Sequence, residues 1–173
     1  MSDPSTAGPL AGRLLVATPL LGDPNFDRTV VLMLAHGSEG ALGLVLNRPT
    51  GTRADELVPG WGERVAAPAV MFLGGPVGQN GVIGLHPGGT IDLNVPPEET
   101  IDPPETLRLF AGSAGWGAGQ LEDELTEGAW WVFDAEPGDA FTGVPDDLWA
   151  AVLRRQRGTI AWFARHPTDP SVN

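Results

Sequence analysis

Apolar positions along this chain gather into short dense runs separated by turn residues, and few stretches carry a helical stripe. The runs at 13–17 (RLLVA), 29–35 (TVVLMLA) and 41–47 (ALGLVLN) are apolar at nearly every position. That pattern predicts strands covered on both faces, or on one face of a tight curve. HGSEG joins the second run to the third at hairpin length, with Gly37 and Gly40 available for positive φ. Further strands are predicted at 69–73, 81–86, 90–95, 107–111 and 129–134. In 90–95, Ile91, Leu93 and Val95 alternate with polar residues, as on a half-exposed strand. A short helical turn is predicted at 53–58, and a helix at 119–128 that brings Leu121 and Leu125 onto one face and stops at Gly128. The clearest helix is 145–158, opened by Pro145 and Asp146, closed by Gly158, with an apolar stripe of Leu148, Trp149, Val152 and Leu153. Strand and helix do not alternate regularly. The prediction is therefore an α+β domain with a mixed, strongly curved sheet and a few flanking helices, in preference to a doubly wound fold. One domain is expected over 12–158, between a disordered leader at 1–11 and a C-terminal tail at 159–173.

Composition narrows the chemistry. With 173 residues, the chain is long enough to bury roughly two thirds of its unfolded surface. It has no cysteine, so disulfides, thiolate metal sites and a cysteine nucleophile are excluded. Lysine is absent as well, which removes a P-loop lysine, a Schiff base and a Ser–Lys pair. The net charge of −12 opposes direct nucleic-acid binding, which draws its affinity from cations that displace counterions. The one basic cluster, Arg154, Arg155 and Arg157, reads as the cationic end of a helix whose other end carries Asp146 and Asp147. The opening residues lack a basic n-region, and LLVATPLL (14–21) is too short to span a bilayer and is broken by Pro19. A cytoplasmic protein without a membrane segment is expected.

The stretch FAGSAGWGAGQLEDEL (110–125) reads as a strand, a glycine turn and a helix, the arrangement in which phosphates often sit. Asp134 follows Gly119 by 15 residues, near where a ribose-binding acid falls. Yet Gly112, Gly115 and Gly117 are spaced G-x-x-G-x-G, Trp116 sits among them, and Glu122, Asp123 and Glu124 crowd the helix start. A pyrophosphate there would face three carboxylates. A tight turn packed around Trp116 is the preferred reading.

The same residues carry a resemblance. GSAGWGAGQLEDEL resembles the hallmark of the YqgE/AlgH family, and three further blocks follow the family's order. GRLLVATPLLGDPNFDRTVVLMLAHGSEGALGLVLNRP (12–49) is similar to its N-terminal block. FLGGPVGQNGVIGLHP (72–87) is similar to its Gly-Gly-Pro-Val turn and histidine strand, and PDDLWAAVLRR (145–155) to its last helix. The resemblance implies an α+β domain with a bifurcated sheet rolled into a pseudo-barrel. It implies no established activity; some members are named as transcriptional regulators. Many relatives carry a cysteine where this chain has Leu34, so a thiol switch is not implied here. The proline-rich segment 94–110 is a poor match to the extra helix of many relatives.

Candidate residues fall into separate blocks. His36 and His86 stand at predicted strand ends, and a metal would need both plus Asp23, Asp27 or Glu39. No local histidine spacing supports that, and neither a metal nor a cofactor is expected. Asn47, Arg48 and Pro49 end a strand, where Arg48 could clamp an anion or pair with an acid. Ser38 and Ser113 are weak candidates for a nucleophile, and no catalytic residue is assigned. Glu122 and Glu124 read as a solvated helix start, with Gln120 and Glu124 sharing a face. The preferred function is a regulatory or binding module acting through an unidentified protein partner, using an exposed patch at Trp61, Trp116 or Trp162. The alternative is a small-molecule or nucleotide pocket built from His36, Asn47, Arg48, His86 and the glycines at 112–119. The motif residues Gly74, Gly75, Pro76, Gly115, Trp116, Gly117 and Gln120 complete the candidate set.

Overall fold

Three antiparallel strands explain the dense apolar runs: β1 (Arg13–Ala17), β2 (Val30–Gly37) and β3 (Gly40–Val45). Their side chains divide between two layers. Leu14, Val16, Val30, Leu44 and Leu46 enter one core, while Leu15, Ala17, Val31, Met33 and Val45 enter another on the opposite face. Both faces are covered, so no polar alternation is needed. The computed structural model describes residues 9–24 and 26–165.

The remaining strands are β4 (Pro49–Arg53), β5 (Val70–Leu73), β6 (Val77–His86), β7 (Gly89–Ile91), β8 (Arg108–Gly117) and β9 (Trp130–Asp134). With β1–β3 they form a nine-stranded sheet of order β4-β5-β8-β3-β2-β1-β9, with β6 branching from β8 and β7 paired to β6. β5 runs parallel to β8 and the other pairs are antiparallel. The architecture is α+β with a mixed sheet, as expected; the sheet forks at β8 and is not closed into a barrel. Among the described residues three α-helices flank it: α1 (Gln120–Thr126), α2 (Leu148–Arg154) and α3 (Thr159–Arg165). Leu121 of α1 seals the second core, and Leu148, Trp149, Val152 and Leu153 of α2 seal the first.

The glycine stretch is corrected by the structure. Its residues 112–117 are not a turn but the second half of β8, and only Ala118 and Gly119 turn the chain into α1. The first half of β8 pairs with β5 and β6, and the second half pairs with β3, from Gly43 opposite Ala114 to Gly40 opposite Gly117. Gly112 is the crossing point, with φ of +76°. A Cβ there would stand 2.5 Å from the Gly75 carbonyl oxygen. One strand thereby serves two branches of the sheet because its centre carries no side chain to collide with its neighbour.

Other expectations shift at the edges. The strand predicted at 90–95 stops at Ile91, because the Asp92 carboxylate accepts the Asn94 N–H at 2.9 Å and turns the chain. The helical turn at 53–58 is only a hydrogen-bonded turn, Leu57 N–H to the Ala54 carbonyl. β4 is polar and carries no apolar run, which is why sequence pattern misses it. At the C-terminus the fold continues past 158: Ile160 and Phe163 of α3 pack on the first core, and the Phe163 ring lies 5.5 Å from Trp131. The leader before Pro9 and the tail from His166 lie outside the described residues. No helix among the described residues is long and apolar enough to cross a membrane.

Candidate functional site

The candidate residues do not converge on one pocket; the fold distributes them over three places. The first is the seat of α1. Trp116 on β8 and Trp130 on β9 point into the second core, their ring centroids 6.1 Å apart, with Phe26 stacked on Trp116 at 6.3 Å. Burying two indoles leaves two N–H groups to satisfy, and Glu124 satisfies both. Its Oε1 accepts from Trp116 Nε1 at 3.1 Å and from Trp130 Nε1 at 2.9 Å, while Oε2 accepts from Gln120 Nε2 at 3.0 Å. Gln120 in turn accepts the Gly117 N–H at 3.0 Å. His36, buried at the end of β2, meets Glu122 with Nε2 2.7 Å from Oε2. Glu122 and Glu124 are therefore structural partners of the sheet rather than a solvated helix start. The amides between Ser113 and Gly117 lie in a strand ladder, and that of Gly117 is taken by Gln120, which explains the glycines without a phosphate.

Glu124→Leu is expected to cost about 2 kcal/mol, because both indole N–H groups lose a charged, half-buried acceptor. Urea unfolding followed by tryptophan emission measures this, with the midpoint falling at unchanged slope.

The second place is the exit of β3. Asn47 Oδ1 accepts the Val30 N–H at 3.0 Å, and its Nδ2 donates to the Arg28 carbonyl at 2.9 Å. Arg48 Nη2 donates to the Asp27 carbonyl at 2.6 Å. These side chains brace the turn into β2, where Arg28 itself has φ of +52°. Gly74, Gly75 and Pro76 follow β5, with Gly74 and Gly75 packed directly on the backbone of Gly112–Ala114. Arg48, Gly75 and Pro76 share only a hollow of about 80 Å³ with Gln79 and Pro24.

His86 lies in the third place, a cleft of about 460 Å³ on the α2 side of the sheet. Its floor is Leu14, Leu32, Leu34, Leu46 and Leu85; its walls are the turn 86–89 and the segment 135–141. His86 Nδ1 accepts the Gly88 N–H at 3.1 Å, which leaves the proton of the neutral ring on Nε2. At the rim Arg155 holds Asp139 with two bonds, 2.7 and 3.0 Å, and Glu136 at 3.0 Å. The rim charges are thus largely paired within the chain.

Among the described residues no cluster of three or more His, Asp or Glu could hold a metal ion. Ser113 is buried in β8 opposite Val77, and Ser38 lies in the exposed hairpin turn. The expected aromatic patch is also corrected. Trp61 is fully buried with its Nε1 on the Val95 carbonyl, and Trp116 is buried under α1; Trp162 alone of the three is exposed, at 46%. Two features carried no sequence signal. One is the Asp139–Arg155 pair; the other is Arg108, fully buried without a carboxylate among its hydrogen-bond partners. Their partners come from segments distant in sequence, so no local pattern announces them.

A forked mixed sheet, whose crossing strand leads through a buried tryptophan into a Gln-Leu-Glu helix, defines an AlgH-like protein. The AlgH-like family pattern matches residues 14–161, and the chain belongs to that family. Relatives include a UPF0301 protein of Streptomyces avermitilis, 48% identical with all of both chains covered. A UPF0301 protein of Mycobacterium tuberculosis is 37% identical over 94% of this chain and 90% of its own. Among solved structures, protein DIP2367 of Corynebacterium diphtheriae superposes with a TM-score of 0.82 at 28% identity, covering 92% of this chain and 93% of its own. The AlgH protein of Pseudomonas aeruginosa, a UPF0301 protein solved in solution, gives 0.66 at 28% identity, covering 90% and 92%.

Proposed function

We propose that this protein is a cytoplasmic regulatory module that binds an apolar segment of a partner protein in the cleft beside His86. The observation that carries the reading is the cleft itself: five leucines form its floor and the charges at its rim are largely paired with one another. Such a surface gains by burying aliphatic or aromatic side chains, and it offers few unpaired charges for a polar substrate. The His86 Nε2–H stands at the wall as a donor for a backbone carbonyl of the incoming segment. With a net charge of −12, any effect on transcription would pass through that partner rather than through direct contact with DNA.

A photo-crosslinking residue placed at Leu34 is expected to capture one defined protein in cells, while the same residue at Thr52 on the far edge strand captures none. Leu34→Glu, scored with the crosslinker at Pro87, should reduce that capture about tenfold. Equal capture from both positions would overturn the reading. So would a small molecule retained by the protein in native mass spectrometry and lost in Leu34→Glu, which would make the cleft a small-molecule site instead.

A further inference from the structure

Among the described residues the forked sheet has three outer strands, β4, β7 and β9, and they are unlike; β7 offers only the three residues Gly89–Ile91. β4 begins with Pro49, ends with Arg53 and pairs irregularly with β5, all features that discourage another strand from joining. β9 has none of them. It reads Trp-Trp-Val-Phe-Asp and, among the described strands, pairs only with β1. The Thr18 N–H bonds to the Ala129 carbonyl, and the register sets Val16 opposite Trp131 and Leu14 opposite Phe133. Alternation then turns the backbone groups of Trp131 and Phe133 toward β1, and those of Trp130, Val132 and Asp134 outward. No described strand pairs with that outer row.

The flanks of this edge are apolar as well. Trp131 and Phe133 stack at 6.3 Å on the face toward α3, Phe163 lies against Trp131, and the exposed Trp162 lies 5.2 Å from Phe163. The chain's strong negative charge is muted here, since the only charged residue of β9, Asp134, is 3.2 Å from Arg13.

We propose that two copies of this chain join β9 to β9 across a two-fold axis at Val132, extending one antiparallel sheet through both. In that register the outward groups of Trp130, Val132 and Asp134 meet their counterparts in hydrogen-bonded pairs, and Trp131 comes opposite Phe133 of the partner subunit. The guarded β4 edge and the very short β7 edge end the assembly at two copies, because a second long, unguarded edge would be required for a longer one. The occupant is a second copy because the edge is self-complementary in pattern and carries a locally balanced charge. The inference is independent of the cleft and its partner.

Sedimentation equilibrium of the full chain tests it together with amide exchange. Wild type is expected at twice the chain mass. Val132→Pro is expected at the single mass with its fold intact, since the lost N–H faces away from β1. In wild type the Val132 and Asp134 amides should exchange about tenfold more slowly when the protein is concentrated than when it is dilute. This second measurement stands even if the proline variant does not fold. Fast exchange at every concentration would overturn the proposal. So would slow exchange independent of concentration, which would mean that the chain covers its own edge. A dimer that survives in folded Val132→Pro would also refute it, by placing the contact elsewhere.

Discussion

Replacing Arg108 with methionine is expected to lower stability by about 3–5 kcal/mol, although it removes a buried charge. The guanidinium is fully buried on β8, 4.4 Å above the Phe72 ring, and burial drives its pKa down to about 10. Relief of that desolvation would favour methionine by roughly 3 kcal/mol. Against it stand three carbonyls that lose their donor: Thr142 at 2.8 Å and Ala140 at 3.3 Å from Nη1, and Ala67 at 2.6 Å from Nη2. Each orphaned carbonyl costs ~1–3 kcal/mol, and the lost contact with the ring adds ~1–2 kcal/mol. The hydrogen bonds win. Arg108→Lys should fall between the two, because one ammonium cannot reach both Ala67 and Thr142 as the planar fork does. Urea midpoints of the three proteins give the order, and a methionine variant as stable as wild type would reverse the balance argued here.

Gly75→Ala is expected to cost at least about 3 kcal/mol, more than an ordinary small-to-large change in a core. Its Cβ would lie 2.2 Å from the carbonyl carbon and oxygen of Ser113 and 2.4 Å from the Ala114 nitrogen. All three are backbone atoms at the fork of the sheet, so no rotamer change relieves the overlap. Gly115→Ala supplies the contrast, because its nearest neighbour is the Val77 methyl at 3.9 Å, an ordinary contact. That variant should stay within about 0.5 kcal/mol of wild type. The pair separates glycines that the sheet requires from one that merely accompanies them in the motif.

Much of the fold was legible before the structure. The run 13–17 coincides with β1, the helix at 119–128 contains α1, and Leu148, Trp149, Val152 and Leu153 do form the buried stripe of α2. The candidate site was legible only in parts. Gln120 and Glu124 share a face at i, i+4 as expected, but the two indole N–H groups make Glu124 a half-buried anchor while Gln120 stays exposed. The glycine stretch misled because glycine between an apolar run and a helix signals a turn locally, whereas here it permits a strand to cross its neighbours.

Local pattern and composition by themselves determined the α+β class, most of the apolar strands and the chemistry ruled out by missing cysteine and lysine. Those properties depend on side-chain spacing and residue type alone. Only the tertiary structure decided that β8 belongs to both branches of the sheet, that His36, Arg48 and His86 stand apart, and that Arg108 is buried among carbonyls. Each of these is a meeting of segments far apart along the chain, and spacing within any one segment carries no record of what will face it.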